Sequence, residues 1–517
     1  MRKAMTVAAA LAGMLALGAV PVLAGGPQDI SQPTQTLAVQ STPSAGDQAA
    51  KPADQAKPAD KAKPADQAKP ADTAKPAAAT AKPVSPTALT KNSYGGGFRL
   101  TTENGKFSMR IMGAAQFRYT YMTFDDRISG NTEDSSNFFM RRGRVWFDGH
   151  AYDPKFTYYI HVQLEPMSAV NLHDMWINYA LKPMFQVGLG RNKVAYGVEF
   201  LNSGFGNNMV ERSIMAGETD INAGGGLSKW PGGGNESFPL STEDANTGFQ
   251  TGGLQLFRSQ GIQVHGRNRD TGSVFEYQLG IWQGRNTKGA SNFGTDHMYT
   301  ARVGFYPNGF INWLFAGDTA DTKTFQTGFI LSAYNDTRIK KTNAAGAAVP
   351  QYDGKDMGFT ASFMARYRGF SVDADYAQET YDMQDSTVTG DRKFDRNGWR
   401  AQVGYFLKPK VVEVVGRYAY MTRLDDPTID ATKNSGLGFV KVKNSSGVLQ
   451  DAMEKGLQEY TFGVNYYLSG AAHQHVVFAD YSHLTRQFAG FVSGNAITGG
   501  VPDQGDNRVR LMLQMKF

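Results

Sequence analysis

Arginine side chains recur at alternate positions along several stretches of this chain, and their spacing suits one kind of chemistry. Arg142 and Arg144 are two residues apart, and Arg110 and Arg118 share one face of the stretch before them. In an extended strand, residues i and i+2 point to the same side, so these arginines would line one surface. A guanidinium donates two parallel hydrogen bonds to two oxygens, which suits phosphate and carboxylate groups. The pattern therefore indicates a surface that attracts small anions.

Acidic residues share the polar faces with the arginines, so a second interpretation stays open. By parity the arginines on these faces are Arg110, Arg118, Arg142, Arg144, Arg302, Arg366, Arg400, Arg417, Arg508 and Arg510. The acids on the same faces are Asp148, Glu165, Asp174, Glu276, Asp373, Asp375 and Glu413. Pairing with an acid on a neighbouring strand accounts for any one arginine as well as anion binding does. The mixed charge predicts at most a modest preference for anions.

The strands that would position these residues are visible as an alternation of apolar and polar side chains. At the C-terminus the alternation runs from Val509 to the terminal Phe517, and only Met512 breaks it. Sixteen segments show this period: 107–123, 138–151, 155–165, 171–181, 184–193, 258–267, 273–283, 297–306, 325–334, 357–367, 370–380, 397–407, 411–421, 458–468, 473–483 and 507–517. Segments of about ten residues cross a bilayer as tilted strands. The alternation predicts an all-β fold, a transmembrane antiparallel up-and-down β-barrel of about 16 strands; the sheet of a soluble protein is the alternative.

The connections between the segments alternate between long and short. Residues 152–154 and 408–410 are turn-like, whereas residues 194–257 form a long connection. An even number of strands with short turns at one end and long loops at the other places both termini in the periplasm. Two connections fit less well: 166–170 is short for an outer loop, and 307–324 is long for a turn and could hide a strand extension. Fourteen or eighteen strands are the alternatives.

The chain has three regions of different composition. A basic start followed by an apolar run predicts a signal peptide over residues 1–24, with a short membrane anchor as the alternative. Residues 25–94 repeat Lys-Pro with a period of six and have almost nothing to bury, which predicts a disordered Lys-Pro-Ala-rich periplasmic linker. This linker is either an inert tether or a contact to the anionic cell wall. Residues 95–517 are predicted to form the barrel.

Composition excludes several other classes of protein. The chain has no cysteine, so it has no disulfide and no thiolate metal site. Beyond the signal, no run of about 18 apolar residues could form a spanning helix. The mean hydropathy is −0.40, aromatic residues make up 12%, and there are 58 glycines, which suits a barrel with a wet interior. Residues 1–94 carry ten Lys and Arg against six Asp, which leaves only +2 of the net +6 charge for the barrel. Nucleic-acid binding is therefore not expected.

Several short motifs follow one another in the order found in a known family. They lie at 138–147, 172–179, 187–199, 210–213, 261–266, 277–284, 301–304 and 511–517. Together they resemble the phosphate-selective porin O and P family of Gram-negative outer membranes, over about residues 97–517. The resemblance implies a sixteen-stranded homotrimeric channel whose third loop folds inward, and it does not fix the solute. Val194, Ala195 and Tyr196 stand where the family usually has Pro-Phe after the lysine.

The long connection 194–257 is the predicted constriction. It is the third outer connection, it is too long for an idle loop, and its glycines would allow it to fold back into the lumen. The constriction-loop candidates are Lys193, Glu199, Glu211 and Arg212. The pore-lining, anion-binding candidates on the wall are Arg110, Arg118, Arg142, Arg144, Arg302, Arg417 and Arg510. A surface loop that makes trimer contacts is the alternative for this connection.

Other chemistries find little support in the motifs. The glycine runs 224–226 and 232–234 lack the Lys-Ser/Thr and the helix that follow a phosphate-binding loop. His473 and His475 flank a turn without a third ligand nearby in sequence, so a position at the periplasmic rim is expected and no metal site is predicted. No Gly-x-Ser-x-Gly or His-Glu-x-x-His motif occurs, and neither an enzyme activity nor a cofactor is expected.

The sequence therefore predicts an outer-membrane porin for passive diffusion of small hydrophilic solutes, with weak to moderate preference for phosphate-like anions. The expected partners are outer-membrane lipid, two further copies in a homotrimer, and small anions or other small solutes; the cell wall is a further candidate through residues 25–94, if these are more than a tether. The expected location is the outer membrane of a Gram-negative bacterium, with the linker in the periplasm. A structural barrel that anchors the envelope or sheathes a partner is the alternative; an outer-membrane barrel enzyme is less favoured.

Overall fold

The chain is almost entirely β-strand wherever its structure is described. A computed structural model describes residues 97–123, 134–164, 170–216, 254, 256, 258–268, 272–284, 297–338, 353–384, 391–423, 439–469, 473–493 and 496–517. The strands are β1 Phe98–Thr101, β2 Phe107–Thr123, β3 Ser135–Ala151, β4 Asp153–Gln163, β5 Asn171–Lys182, β6 Phe185–Lys193, β7 Arg258–Arg267, β8 Val274–Trp282, β9 Met298–Tyr306, β10 Gln326–Arg338, β11 Asp353–Tyr367, β12 Phe370–Gln384, β13 Asp391–Lys408, β14 Val412–Arg423, β15 Phe439–Lys443, β16 Leu449–Tyr467, β17 His475–Ser493, β18 Ala496–Thr498 and β19 Gln504–Lys516. A single-turn helix, α1, spans Val198–Leu201, and a 3-10 turn spans Ile214–Ala216. In this part of the chain no helix has the length and apolar character needed to cross a membrane. The predicted signal peptide and linker, residues 1–94, lie outside the described residues.

Sixteen of the described strands form one closed antiparallel ring. From β2 to β14, each strand pairs with the next one along the chain. The ring continues from β14 to β16, β17 and β19, and β19 pairs back with β2. Closure pairs the backbone groups of every strand on both sides, which a hydrocarbon environment requires. The predicted sixteen-stranded up-and-down barrel is confirmed.

Three short strands lie outside this ring. β15 and β18 pair with the outer extensions of β16 and β17. β1 pairs with the start of β2, where Phe98 lies opposite Ile111. The pairing of β19 with β2 ends at Lys516, which lies opposite Ala114. β3 pairs with one edge of β2 along its length. On the other edge, β1 therefore pairs with the first residues of β2, which β19 does not reach.

The period of two sorts side chains between lipid and lumen. Along β9, Tyr299, Val303 and Phe305 are exposed on the outer surface, whereas Thr300 and Arg302 are buried inside. The alternation of the strand thus places apolar side chains in an outer band and polar ones in the interior. The same alternation along the other strands carries the arginines predicted from parity to the inside.

The sixteen predicted segments each coincide with one strand of the ring, and several strands are longer at their outer ends. β13 begins at Asp391 rather than 397, and β16 begins at Leu449 rather than 458. The alternative of a strand extension in 307–324 is wrong. Between β9 and β10 the chain forms turns and bends, and several of its residues are buried.

Candidate constriction site

The first part of the third outer connection, residues 194–216, lies inside the barrel, and we call it the inner loop. Most of its side chains are buried, and its backbone meets inward-facing residues of distant strands. Gln116 of β2 donates to the carbonyl of Gly204 at 3.1 Å, and Asn465 of β16 donates to the carbonyl of Asn208 at 2.8 Å. Gln514 of β19 donates to the carbonyl of Phe205 at 3.1 Å. The inner loop therefore crosses the lumen from β6 to the opposite wall.

The entry of the inner loop is fixed by two cations that bind the end of α1. Lys193, the last residue of β6, donates to the carbonyl of Asn202 at 2.8 Å and reaches that of Leu201 at 3.5 Å. Arg212 donates to the carbonyls of Asn202 at 2.8 Å and Glu199 at 3.0 Å. Carbonyls at a helix C-terminus lack partners within the helix, and cations satisfy them well. Lys193, which precedes the turn, and Arg212, which follows it, therefore bind the same carbonyl at its end.

Glu199 and Arg400 join this turn to the barrel wall. The Glu199 carboxylate accepts hydrogen bonds from the backbone N–H of Ser213 at 2.7 Å and from its hydroxyl at 2.6 Å. Arg400 of β13 lies 3.3 Å from the same carboxylate and 2.5 Å from that of Asp375 on β12. The inner loop is therefore attached to the wall by a buried carboxylate–guanidinium–carboxylate chain.

Three arginines converge on Glu211 of the inner loop. Arg142 donates to its carboxylate at 2.9 Å, Arg141 donates to the same oxygen at 3.2 Å, and Arg118 of β2 bonds the other oxygen. All four side chains are buried. Buried ions are stable only when they are paired and hydrogen-bonded, so this group fixes the loop against β2 and β3.

Arg417 attaches the inner loop on the other side. Its guanidinium binds Glu459 of β16 at 2.5 Å and donates to the carbonyls of Glu211 at 2.8 Å and Arg212 at 3.2 Å. Glu459 also accepts the backbone N–H of Ile214 at 2.9 Å. Further along, Leu254 donates its N–H to the carbonyl of Met215 at 2.8 Å. The inner loop therefore begins and ends within the barrel.

Positive charge exceeds negative charge among the groups that these contacts connect. The cations are Lys193, Arg118, Arg141, Arg142, Arg212, Arg400, Arg417 and Arg510. The acids are Glu199, Glu211, Asp375, Glu413, Glu459 and Asp480, of which Glu413 accepts a hydrogen bond from Asn208 and Asp480 accepts the backbone N–H of Val210. Eight cations against six carboxylates leave an excess of two positive charges. Between the inner loop and the β13–β14 wall lies a cavity of ≈ 10 Å³, lined among others by Arg212, Arg400 and Arg417.

Other predicted wall arginines pair with acids on neighbouring strands. The pairs are Arg110–Asp148 at 2.9 Å, Arg302–Glu276 at 2.8 Å and Arg510–Asp480 at 2.7 Å. Arg144 is buried on the inner face of β3, opposite Gln163 of β4. Cross-strand pairing therefore accounts for part of the predicted set, while Arg118, Arg142 and Arg417 bind the inner loop.

Arg141 was missed by the parity argument. The pairing of β2 with β3 shifts register after Gln116, which lies opposite Arg142, so that Phe117 lies opposite Met140. Arg141 is the extra residue of this β-bulge, and both Arg141 and Arg142 are buried inside. The signal in the sequence was the charge itself, because strict alternation would have placed Arg141 in lipid, where it is costly.

One cluster with metal-ligand side chains lies on the wall in the part of the chain that the structure describes. Potential ligand atoms of His161, His173 and Asp174 lie within 4.8 Å of one another. Asp174 binds Arg258 at 2.6 Å and His161 at 2.6 Å. A guanidinium so close to the only carboxylate repels a cation, so the cluster is better described as a buried ion-pair group.

A closed barrel with an apolar outer band, a charged interior and a loop folded into the lumen defines a channel-forming outer-membrane protein, which is a class of channels rather than of enzymes. The family can be stated as well. The sequence profile of the phosphate-selective porin O and P family matches residues 112–517, and the chain belongs to this family. The protein is therefore a passive channel of the outer membrane, and the resemblance seen in the motifs is confirmed.

Solved structures give more distant likenesses. An anion-selective porin from Comamonas acidovorans is 11% identical, with 80% of this chain and 100% of that chain covered and a TM-score of 0.47. The outer-membrane channel DcaP of Acinetobacter baumannii is 11% identical, with 81% and 99% covered and a TM-score of 0.45. Salmonella typhi OmpF is 14% identical, with 80% and 100% covered and a TM-score of 0.39. No curated protein matches the chain. These likenesses are too distant to bear on the solute.

Proposed function

We propose that this porin conducts small hydrophilic solutes with a weak to moderate preference for phosphate-like anions, and that the inner loop is its constriction. The observation that supports the preference is the excess of two positive charges among the groups joined to the inner loop. Selectivity in a water-filled pore comes from its width and from the charges that line it. Arginine suits this role because its guanidinium stays charged at any pH and binds two oxygens at once.

The acids limit the strength of this preference. Glu211 and Glu459 neutralise part of the positive charge where the loop meets the wall. An anion entering this region therefore meets a net charge of about +2 rather than the +8 of the cations alone. A net charge of this size favours the entry of anions but does not bind them tightly, so they can leave the channel again, as passive diffusion requires.

Exchange of two arginines tests the proposal. The variant Arg142→Gln with Arg144→Gln removes two positive charges from the inner face of β3, one of them bound to Glu211 of the inner loop, so anion preference falls. The readout is the reversal potential of single channels in a planar bilayer under a KCl gradient. A matched control, Arg368→Gln with Lys410→Gln, removes two charges from exposed turns at the periplasmic end and leaves the preference unchanged. Equal selectivity of the arginine variant and the native protein would refute the assignment of these two residues.

The assembly and the N-terminal linker belong to the same proposal. We infer a homotrimer from the family resemblance, and chemical cross-linking of the folded protein in membranes tests it. We also infer that residues 1–24 are removed and that residues 25–94 extend into the periplasm as a tether, with contact between their lysines and the anionic cell wall as the alternative. Deletion of 25–94 tests this: lost envelope integrity with unchanged solute uptake supports an anchoring role, whereas unchanged integrity leaves an inert tether.

A further inference from the structure

Residues 307–325 connect β9 to β10 at the periplasmic end, where the neighbouring turns are short. We call them the periplasmic segment. Ile311 is buried in a cluster with Val198 of the inner loop and Met364 of β11. Ala316 and Asp318 are also buried. A connection of this length that is turned inward costs backbone freedom, so its contacts must hold it there.

The periplasmic segment binds the inner loop through its backbone. Ser203 of the inner loop donates to the carbonyl of Leu314 at 3.0 Å, and Ala316 donates to the carbonyl of Gly206 at 2.8 Å. The two inward-folded elements therefore form one layer across the lumen.

The segment also contacts opposite sides of the barrel. On one side, Trp313 donates to Glu276 of β8 at 3.1 Å, and its ring lies 4.9 Å from the guanidinium of Arg302 on β9. On the other side, Phe315 stacks on His473 at 5.8 Å, and Lys516 of β19 lies 5.8 Å from its ring. In the ring of sixteen strands, β9 and β19 are eight strands apart in either direction, so the segment spans the lumen.

The return of the segment to the wall is equally defined. Gly317 has φ +78°, and a side chain there would meet the carboxylate of Glu413 on β14 at 2.8 Å. The Asp318 carboxylate accepts the backbone N–H of Thr322 at 2.9 Å and that of Gly369 at 2.7 Å. A left-handed residue pressed against a buried acid leaves room only for glycine. Gly317 and Asp318 thus define where the segment returns to the barrel wall.

The segment lines a small cavity beside the inner loop. The cavity of ≈ 10 Å³ between the inner loop and the β13–β14 wall is lined by Ala316 of the segment and by Arg212, Arg400 and Arg417, among others. This is about the room that one water molecule needs, and a hydrated anion needs more. A solute path along these arginines would therefore be too narrow for a hydrated anion while the segment keeps this position.

We propose that residues 307–325 form a second constriction, which sets the size limit of the channel from the periplasmic side and opens by moving away from the inner loop. The inference goes beyond anion preference and rests on the channel function of the family. It concerns the width of the path, so it is judged by conductance and by the size of permeant solutes, whichever ion the channel prefers.

Two variants test the proposal. Trp313→Ala with Phe315→Ala removes the aromatic contacts to the two walls, so single-channel conductance rises by about twofold or more and larger sugars enter proteoliposomes. The control Phe325→Ala removes an aromatic side chain that is 54% exposed at the C-terminal end of the same segment, and it leaves conductance unchanged. Retention of the folded barrel is checked by heat-modifiable migration on a gel.

The second variant works within one protein and uses the absence of native cysteine. Ser203→Cys with Leu314→Cys is designed to join the segment to the inner loop, since a backbone hydrogen bond of 3.0 Å makes the two residues neighbours and a disulfide needs Cα atoms ~5–6 Å apart. Conductance of the oxidised form falls to about half or less and returns on reduction. Equal conductance of the oxidised and reduced forms, with the cross-link verified by mass, would overturn the proposal. Unchanged conductance and sugar exclusion in the folded double-alanine variant would overturn it as well.

Discussion

Phe517, the last residue of the chain, exchanges both backbone hydrogen bonds with Gly113 of β2, at 2.9 and 3.0 Å. Its ring covers the glycine so closely that a Cβ at residue 113 would lie 2.4 Å from the ring. The contact lies where β19 meets β2, which is the place where the ring of strands closes. The terminal aromatic residue therefore completes the barrel by packing on a position that has no side chain.

A side chain at residue 113 is expected to open this seam. Gly113→Val forces the Phe517 ring away from β2; because this ring is 63% exposed and can turn aside, the loss in free energy of unfolding is at the low end for overpacking, about 1 kcal/mol. Thermal unfolding in detergent, followed by heat-modifiable gel migration, measures the loss. Gly416→Val is the matched control, because a Cβ there meets Phe462 only at an ordinary 3.7 Å. Equal stability of the two variants would contradict the role given to the terminal ring.

Loss of the carboxylate at Glu211 is expected to strengthen anion preference. Glu211→Gln leaves Arg118, Arg141 and Arg142 around a neutral amide, so the excess positive charge at the inner loop increases by one. The reversal potential in a KCl gradient shifts toward that of chloride, opposite to the shift expected for Arg142→Gln with Arg144→Gln. A shift toward the potassium potential would show that these arginines do not act on permeating ions.

Acid is expected to weaken the periplasmic end of the barrel through His473. Burial lowers the pKa of His473 from 6.5 to about 4, and Lys516 and Arg366 also disfavour the charged ring. The neutral ring donates to the carbonyl of Ala316 at 2.8 Å. Between pH 6.5 and about 4 the unfolded chain binds a proton that the folded one does not, so stability falls as the pH falls through this window.

The loss approaches roughly 3 kcal/mol at the acid end of the window, from a pKa difference of 2.5 units at 1.36 kcal/mol each. The measurement compares Tm between pH 7 and pH 4.5 for the native protein and for His473→Gln, which retains a donor and cannot titrate. The native protein loses stability more steeply on acidification. Parallel curves for the two proteins would refute a titrating role for this histidine.

The barrel was predictable from the sequence because the alternation of apolar and polar residues is visible within each strand. A strand between lipid and water must alternate, and the stretch that ends at Phe517 shows this on its own. β1, β15 and β18 were missed because strands of three to five residues carry too few alternations to be recognised. The outer extensions of β16 and β17 were missed because their buried faces mix apolar and polar side chains, such as Leu484, Arg486 and Phe488, so the sequence shows no apolar–polar alternation there.

The constriction candidates were less accessible to sequence reasoning. Parity brought Arg142 to the inside, but a bulge beside Gln116 brought Arg141 there too, and a register shift leaves little local signal. Arg141 and Arg142 both bind Glu211 because the inner loop turns this residue toward β3. The path of the loop depends on contacts with distant strands, which the local sequence does not show. The inward fold of residues 307–325 was unexpected for the same reason, because its partners lie on distant strands. The glycine runs 224–226 and 232–234 lie outside the described residues, so their predicted role stays a prediction.

The reversal potential of the purified native protein under a KCl gradient, repeated with added phosphate, tests the central claim most directly. The account predicts a reversal potential displaced modestly toward that of chloride, and a chloride current that millimolar phosphate reduces. A potential displaced toward that of potassium, with a current that phosphate leaves unchanged, would contradict it.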